Sequence, residues 1–227
     1  MPFIILLAFA LLPSLAWLWF FLRRDPNPEP RHMIIRVFLL GVIMVVPALG
    51  AQFLLNRFWF GLIAMVLAAA LIEEAAKYGA ARLGAFGLTE FDEPVDAMIY
   101  MITAGLGFAA MENLLVLINP AISGLTMVAG ISGLRFLTAT FIHAFASGLI
   151  GYFIGRQVFQ NKRGFVWLGL LSATLVHAVY NLSVLGLAVQ IDNYDYLVYT
   201  LLLIIPLGVG ILDFIAFAHL KKIDEDG

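Results

Sequence analysis

The stretch Leu71-Ile72-Glu73-Glu74-Ala75-Ala76-Lys77 sets two adjacent carboxylates and an ammonium inside a segment otherwise apolar enough to cross a bilayer. An ionisable side chain at the bilayer centre costs about 2.5 to 3.5 kcal/mol on insertion scales, so such groups face a bundle interior and mark a site. On a helix, Glu73 and Lys77 are i,i+4 neighbours, while Glu74 points about 100° away and reaches Lys77 at i+3. The lysine then neutralises one carboxylate, and the other needs a further polar partner or a proton of its own. More polar groups follow in equally apolar surroundings. Glu112 is followed by Asn113. Arg135 precedes His143, which has Ser147 at i+4, where a hydroxyl can orient the imidazole. His177 has Asn181 at the same spacing.

Two or three carboxylates and two imidazoles around a partly wet cavity support general acid and base work. A glutamate shielded from water can take a proton from water, which then attacks a carbonyl. His177 and Asn181, donating from one helix face, are placed to stabilise the oxyanion that forms. Two His and one or two Glu are also ordinary zinc ligands. The residue types therefore admit a divalent metal, although no His-Glu-x-x-His occurs and the ligands would come from separate helices. No cofactor is required by this reading. A different class, a proton- or ion-coupled transporter, would use Glu, His and Arg as a relay. Transporters more often carry paired repeats and broken helices, and here only His143-Ala144 and His177-Ala178 echo one another.

The elements that must position these groups are membrane spans. The chain has 227 residues, 63% hydrophobic and 12% charged, a membrane-protein composition. A span needs roughly 20 apolar residues, and seven such runs occur, at about 2–22, 33–55, 59–81, 97–118, 133–156, 164–188 and 196–219. The expected fold is an all-α polytopic membrane protein of about seven transmembrane helices, one domain over 1–227, with the site among helices three to six. The first run lacks a basic leader and is followed by Arg23 and Arg24, which predicts a retained helix rather than a cleaved signal. The absence of cysteine excludes disulfides, thiolate ligands and a cysteine nucleophile. The net charge of −2 gives no footing for nucleic acid.

Three prolines break the first connection, and Asp96 is placed to cap the fourth helix. The 119–132 connection is uncharged and Gly-rich, as in a re-entrant or interfacial piece. Connections one, three and five and the tail hold nearly all the Lys and Arg, which makes them cytoplasmic, with the N-terminus outside and the C-terminus inside. In that topology Glu112, His143 and His177 lie roughly 10 to 15 Å below the outer surface at ~1.5 Å rise per residue, with Glu73 somewhat deeper.

Taken together, Glu73-Glu74-Ala75-Ala76-Lys77, Glu93-Pro94-Val95-Asp96 with Tyr100, Gly107-Phe108 with Glu112-Asn113, Arg135 with His143, and His177 with Asn181 resemble the PrsW family of intramembrane proteases, distant relatives of the CAAX prenyl endopeptidases and bacteriocin-processing membrane proteins. The match covers helices three to six in order and spacing. The resemblance implies a glutamate-dependent endopeptidase of the prokaryotic cell membrane, acting on membrane-anchored proteins such as an anti-sigma factor. Glu73 or its neighbour Glu74 would activate water, and a histidine and an asparagine would steady the oxyanion. Where the CAAX relatives carry Phe-x-x-x-His, this chain reads Phe108-x-x-x-Glu112, a departure that bears on the role of Glu112 and on prenylated substrates.

Overall fold

The computed structural model describes residues 2–25, 27–58, 60–189 and 195–225. Among these the chain forms nine α-helices and no strand: α1 (Phe3–Leu22), α2 (Arg31–Leu55), α3 (Leu62–Gly84), α4 (Asp96–Leu117), α5 (Pro120–Ser123), α6 (Leu125–Leu137), α7 (Ala139–Phe159), α8 (Phe165–Val189) and α9 (Asp195–Glu225). Among the described residues, six helical stretches are long and apolar enough to cross a membrane, with α6 and α7 counted together as Leu125–Phe159. Helix α3 is long enough but carries Glu73, Glu74, Lys77 and Arg82, so it stays in the membrane only if those charges are satisfied within the protein. The expected span at 59–81 therefore exists as a helix whose membrane residence depends on its neighbours. The sixth connection, with Asp192, lies outside the described residues.

Helix α4 is the axis of the bundle. Every residue from Asp96 to Ala110 is buried, so all faces of the helix are covered. In lipid no hydrophobic driving force pulls helices together, and small residues that let backbones meet supply the packing instead. A Cβ on Gly41 of α2 would lie 2.2 Å from the Ala104 carbonyl oxygen, and one on Gly107 would lie 2.1 Å from that of Phe38. On the other side, a Cβ on Gly151 of α7 would lie 2.5 Å from the Ala97 carbonyl. Thus α2 and α7 clamp α4 backbone to backbone. The outward faces carry exposed apolar side chains, among them Leu12, Ile43, Trp167 and Ile211, the surface that lipid covers.

Two helix boundaries differ from expectation. The fifth span is not one helix from 133. Thr138, at φ −124° and ψ −84°, separates α6 from α7. Side chains brace the interruption: Trp17 Nε1 donates to the Phe136 carbonyl at 2.9 Å, and the Thr138 hydroxyl, itself donating to the Leu134 carbonyl at 2.9 Å, accepts the Tyr180 hydroxyl at 3.1 Å. The 119–132 connection is mostly helical, formed by α5 and the start of α6, and Ser132 Oγ ties it to the Phe9 carbonyl of α1 at 2.7 Å. Asp96 is the first residue of α4 rather than its cap. Its carboxylate turns back to accept the Asp92 and Glu93 N–H groups at 3.0 and 2.7 Å.

The first connection folds against this loop. Asn27 Nδ2 donates to Glu93, and the Tyr100 hydroxyl donates to Glu29. Asp25, only 6% exposed, is pushed up to about 6 chiefly by burial, with Glu29 and Glu93 adding repulsion. A carboxyl whose folded pKa lies above its unfolded one stabilises most below the unfolded value and loses that contribution as pH rises through the folded one. Asp25→Asn keeps the acceptor for the Asn27 N–H and has no charge to bury. It is expected to raise the melting temperature in detergent at pH 7.5 and to leave it unchanged near pH 4. An unchanged or lower value at pH 7.5 contradicts the burial argument.

Candidate active site

The groups expected to do chemistry meet between α3, α4, α7 and α8. Glu74, fully buried, accepts Lys77 Nζ at 2.6 Å, one turn along α3, so the lysine pairs with the second glutamate rather than the first. The same oxygen, Oε1, lies 2.7 Å from His177 Nδ1 of α8. The Lys77 ammonium also rests 5.1 Å from the Phe108 ring centroid, which supplies further partial negative charge to a buried cation.

Glu73 points to the other side of His177. Its Oε2 is 3.5 Å from His177 Nε2, and its Oε1 accepts Gln52 Nε2 of α2 at 2.9 Å. The His143 ring packs edge to face on His177 with centroids 4.9 Å apart. His143 Nε2 is 2.9 Å from Glu112 Oε2, and that same oxygen takes Arg135 Nη2 at 2.8 Å. Arg135 Nε reaches Asn113 Oδ1 at 2.5 Å, while Asn113 Nδ2 bonds Thr140 Oγ1 and the Ala10 carbonyl. Glu73, Glu74, Glu112, His143 and His177 thus form one continuous polar cluster. Side-chain exposures of 27% at Glu112 and 11% at Glu73, against 0 to 3% for the others, place its opening at those two carboxylates.

The supporting residues divide. Lys77, Arg135 and Asn113 hold carboxylates and helices in place. Ser147 does not orient His143: its hydroxyl is buried without a hydrogen bond against Gly105, whose added Cβ would lie 2.3 Å away. Glu112 takes that orienting part instead. Asn181 lies one turn along α8 from His177, half-buried. Gln52 was not marked by the spacing of the charged residues. Its signal in the sequence is that it is the one polar side chain between Val37 and Leu55.

The charges do not close on themselves. Glu112 is paired with Arg135 and Glu74 with Lys77, while Glu73 has a neutral amide and an imidazole. Glu73 Oε2 and His143 Nδ1 are both buried without a hydrogen bond. One donor atom each from Glu73, His143 and His177 lies within 4.8 Å of the others.

Carboxylates and imidazoles gathered in the interior of a membrane helix bundle are the residue types from which an intramembrane hydrolytic centre can be built. Residues 29–211 match the family described as PrsW family intramembrane metalloprotease, and the chain belongs to this family. It is 32% identical over 177 residues to Protease PrsW of Geobacillus kaustophilus (strain HTA426), covering 74% of this chain and 75% of that one. Protease PrsW of Bacillus subtilis (strain 168) is 28% identical over 183 residues, 78% of this chain and 81% of the relative. That of Oceanobacillus iheyensis is 30% identical over 190 residues, 80% and 83%. No solved structure matches the chain. Membership decides between the two classes of function weighed from sequence in favour of intramembrane peptide hydrolysis.

Removing one partner of a buried ion pair leaves an uncompensated charge, typically at a cost of about 3 to 5 kcal/mol. Lys77→Met is therefore expected to lower sharply the amount of folded protein extracted from membranes, and Lys77→Met with Glu74→Gln to recover part of it. A single variant as abundant and heat-stable as the wild type contradicts the pairing.

Proposed function

We propose that the chain is an endopeptidase that cuts membrane-anchored proteins near the outer membrane face, at a divalent-metal centre held by His143 and His177, with Glu73 beside it as the general base. The observation that carries this is the clustering of one donor atom each from Glu73, His143 and His177. A neutral His177 donating Nδ1–H to Glu74 presents an unprotonated Nε2 to Glu73 Oε2, 3.5 Å away. A neutral His143 donating Nε2–H to Glu112 leaves an unprotonated, buried Nδ1. In those tautomers Glu73 Oε2 and His177 Nε2 face each other with no donor between them, and one donor atom each from Glu73, His143 and His177 lies within 4.8 Å of the others, a space that a cation can occupy. Both imidazoles are also backed by a carboxylate, the usual outer partner of a metal-ligating histidine.

The donor set therefore fits the metal that the family description implies. A divalent ion held there would supply Lewis-acid polarisation of the scissile carbonyl. The protein's own groups do the rest. Glu73 Oε2 accepts a proton from the attacking water and returns it to the leaving amine. With both His177 nitrogens engaged, the half-buried Asn181 amide is the donor left to meet the developing oxyanion. Glu74 and Glu112 hold the rings and do not touch substrate. Glu73 remains the water-activating glutamate in this reading. Resemblance to family members that release an anti-sigma factor favours a single-span protein of that kind as the substrate.

Purified protein and a fused single-span substrate test this. Glu73→Gln keeps shape but cannot take a proton from water, so cleavage should fall by about 10² to 10⁴ with the amount of folded protein unchanged. Glu74→Gln should cost less in rate and more in stability. Chelation should abolish cleavage and zinc should restore it. Full activity in protein shown by elemental analysis to be metal-free overturns the metal centre, and full activity of Glu73→Gln overturns the base.

The orientation is testable separately, because the chain has no cysteine of its own. A single cysteine replacing Asn27 is expected to be protected from an impermeant maleimide in intact cells and labelled after lysis. Labelling in intact cells would invert the topology and move the site toward the inner face.

A further inference from the structure

Helix α2 contributes no ionisable group to the centre, yet its one interior amide touches it. Gln52 Nε2 donates to Glu73 Oε1 at 2.9 Å, across 21 residues of sequence. An amide in an apolar span is costly unless it is hydrogen-bonded, and this one has found a carboxylate that no Lys or Arg pairs among the described residues.

The contact makes the two oxygens of Glu73 unequal. Oε1 is taken by Gln52, and Oε2 is buried, without a hydrogen bond, facing His177 Nε2. The terminal torsion of a glutamate is broad and roughly two-fold, so without an external donor both oxygens would sweep the centre. We propose that Gln52 is a positioning residue for the reaction: it locks the Glu73 carboxylate so that a single oxygen, Oε2, is presented to the space between His143 and His177. This rests on the metal centre proposed above.

The residue type suits the task. A lysine or arginine in its place would orient Glu73 but also neutralise it, removing the charge that draws a cation. A neutral donor orients without neutralising. Asparagine would be one methylene short of the 2.9 Å contact. The contact also makes α2, otherwise a packing partner of α4, a determinant of the centre.

Loss of an outer partner typically lowers metal affinity or activity by about 10- to 100-fold. Zinc titration of the purified full-length chain in detergent is therefore expected to show that loss in Gln52→Leu and Gln52→Asn, with the melting temperature of the zinc-free protein unchanged. With the fused substrate, kcat should fall by a similar factor and KM should stay within about twofold, the signature of an interaction used after substrate binding. Wild-type zinc affinity in Gln52→Leu overturns the positioning role. Lower affinity accompanied by a lower zinc-free melting temperature assigns Gln52 to helix packing instead. If the wild type itself takes up no zinc, the metal centre falls, and kcat alone decides Gln52: an unchanged value overturns its role.

Discussion

Glu74 Oε1, with Lys77 Nζ at 2.6 Å and His177 Nδ1 at 2.7 Å, is the contact from which the rest of the buried polar structure hangs. Lys77 and Glu74 have no exposed side-chain surface, and lipid offers neither of them a substitute partner. Their pairing lets α3 remain in the membrane, and the second bond fixes α8 against α3. The same bond leaves Nε2 as the His177 nitrogen that faces away from Glu74. Glu73, one residue earlier, sits about 100° around the helix and is left to meet that nitrogen. Two adjacent glutamates with the same chemistry thus take different parts because one is spent on holding α3, α8 and an imidazole.

The packing around this contact obeys the membrane's rule rather than water's. A helix buried on all faces cannot be recognised by an apolar stripe, and α4 has none, because α2 and α7 reach its backbone through their own small residues and its glycines. These close crossings bring Glu112, near the end of α4, and His143, near the start of α7, to 2.9 Å. Among the described residues of the cluster, the carboxylates with exposed side-chain surface are Glu73 and Glu112.

Much of this was legible in the sequence because charge inside an apolar run has few explanations. Glu73, Glu74, Lys77, Glu112, Arg135, His143 and His177 all stand out on that ground, and all are found in one cluster. The helix period also placed Lys77 within reach of Glu74. What the period does not convey is which neighbour a face meets. Ser147 stands one turn from His143, yet its hydroxyl lies against Gly105 on α4, while a carboxylate from another helix orients the ring. Gln52 carries no charge and no motif, and its place beside the cluster shows only through a contact across 21 residues. Asp96 has the composition of a cap, but the loop before it supplied closer donors than the helix after it.

The interruption at Thr138 has a meaning beyond local geometry. Arg135 and His143 are eight positions apart, and in an unbroken helix they would be separated by about 12 Å along one axis. Yet both touch the same oxygen of Glu112, at 2.8 and 2.9 Å. The chain turns a corner between them, so that a cation from α6 and an imidazole from α7 approach a single atom from two directions. A pattern that reads along the sequence as a stripe is, in space, a pincer whose pivot is one threonine.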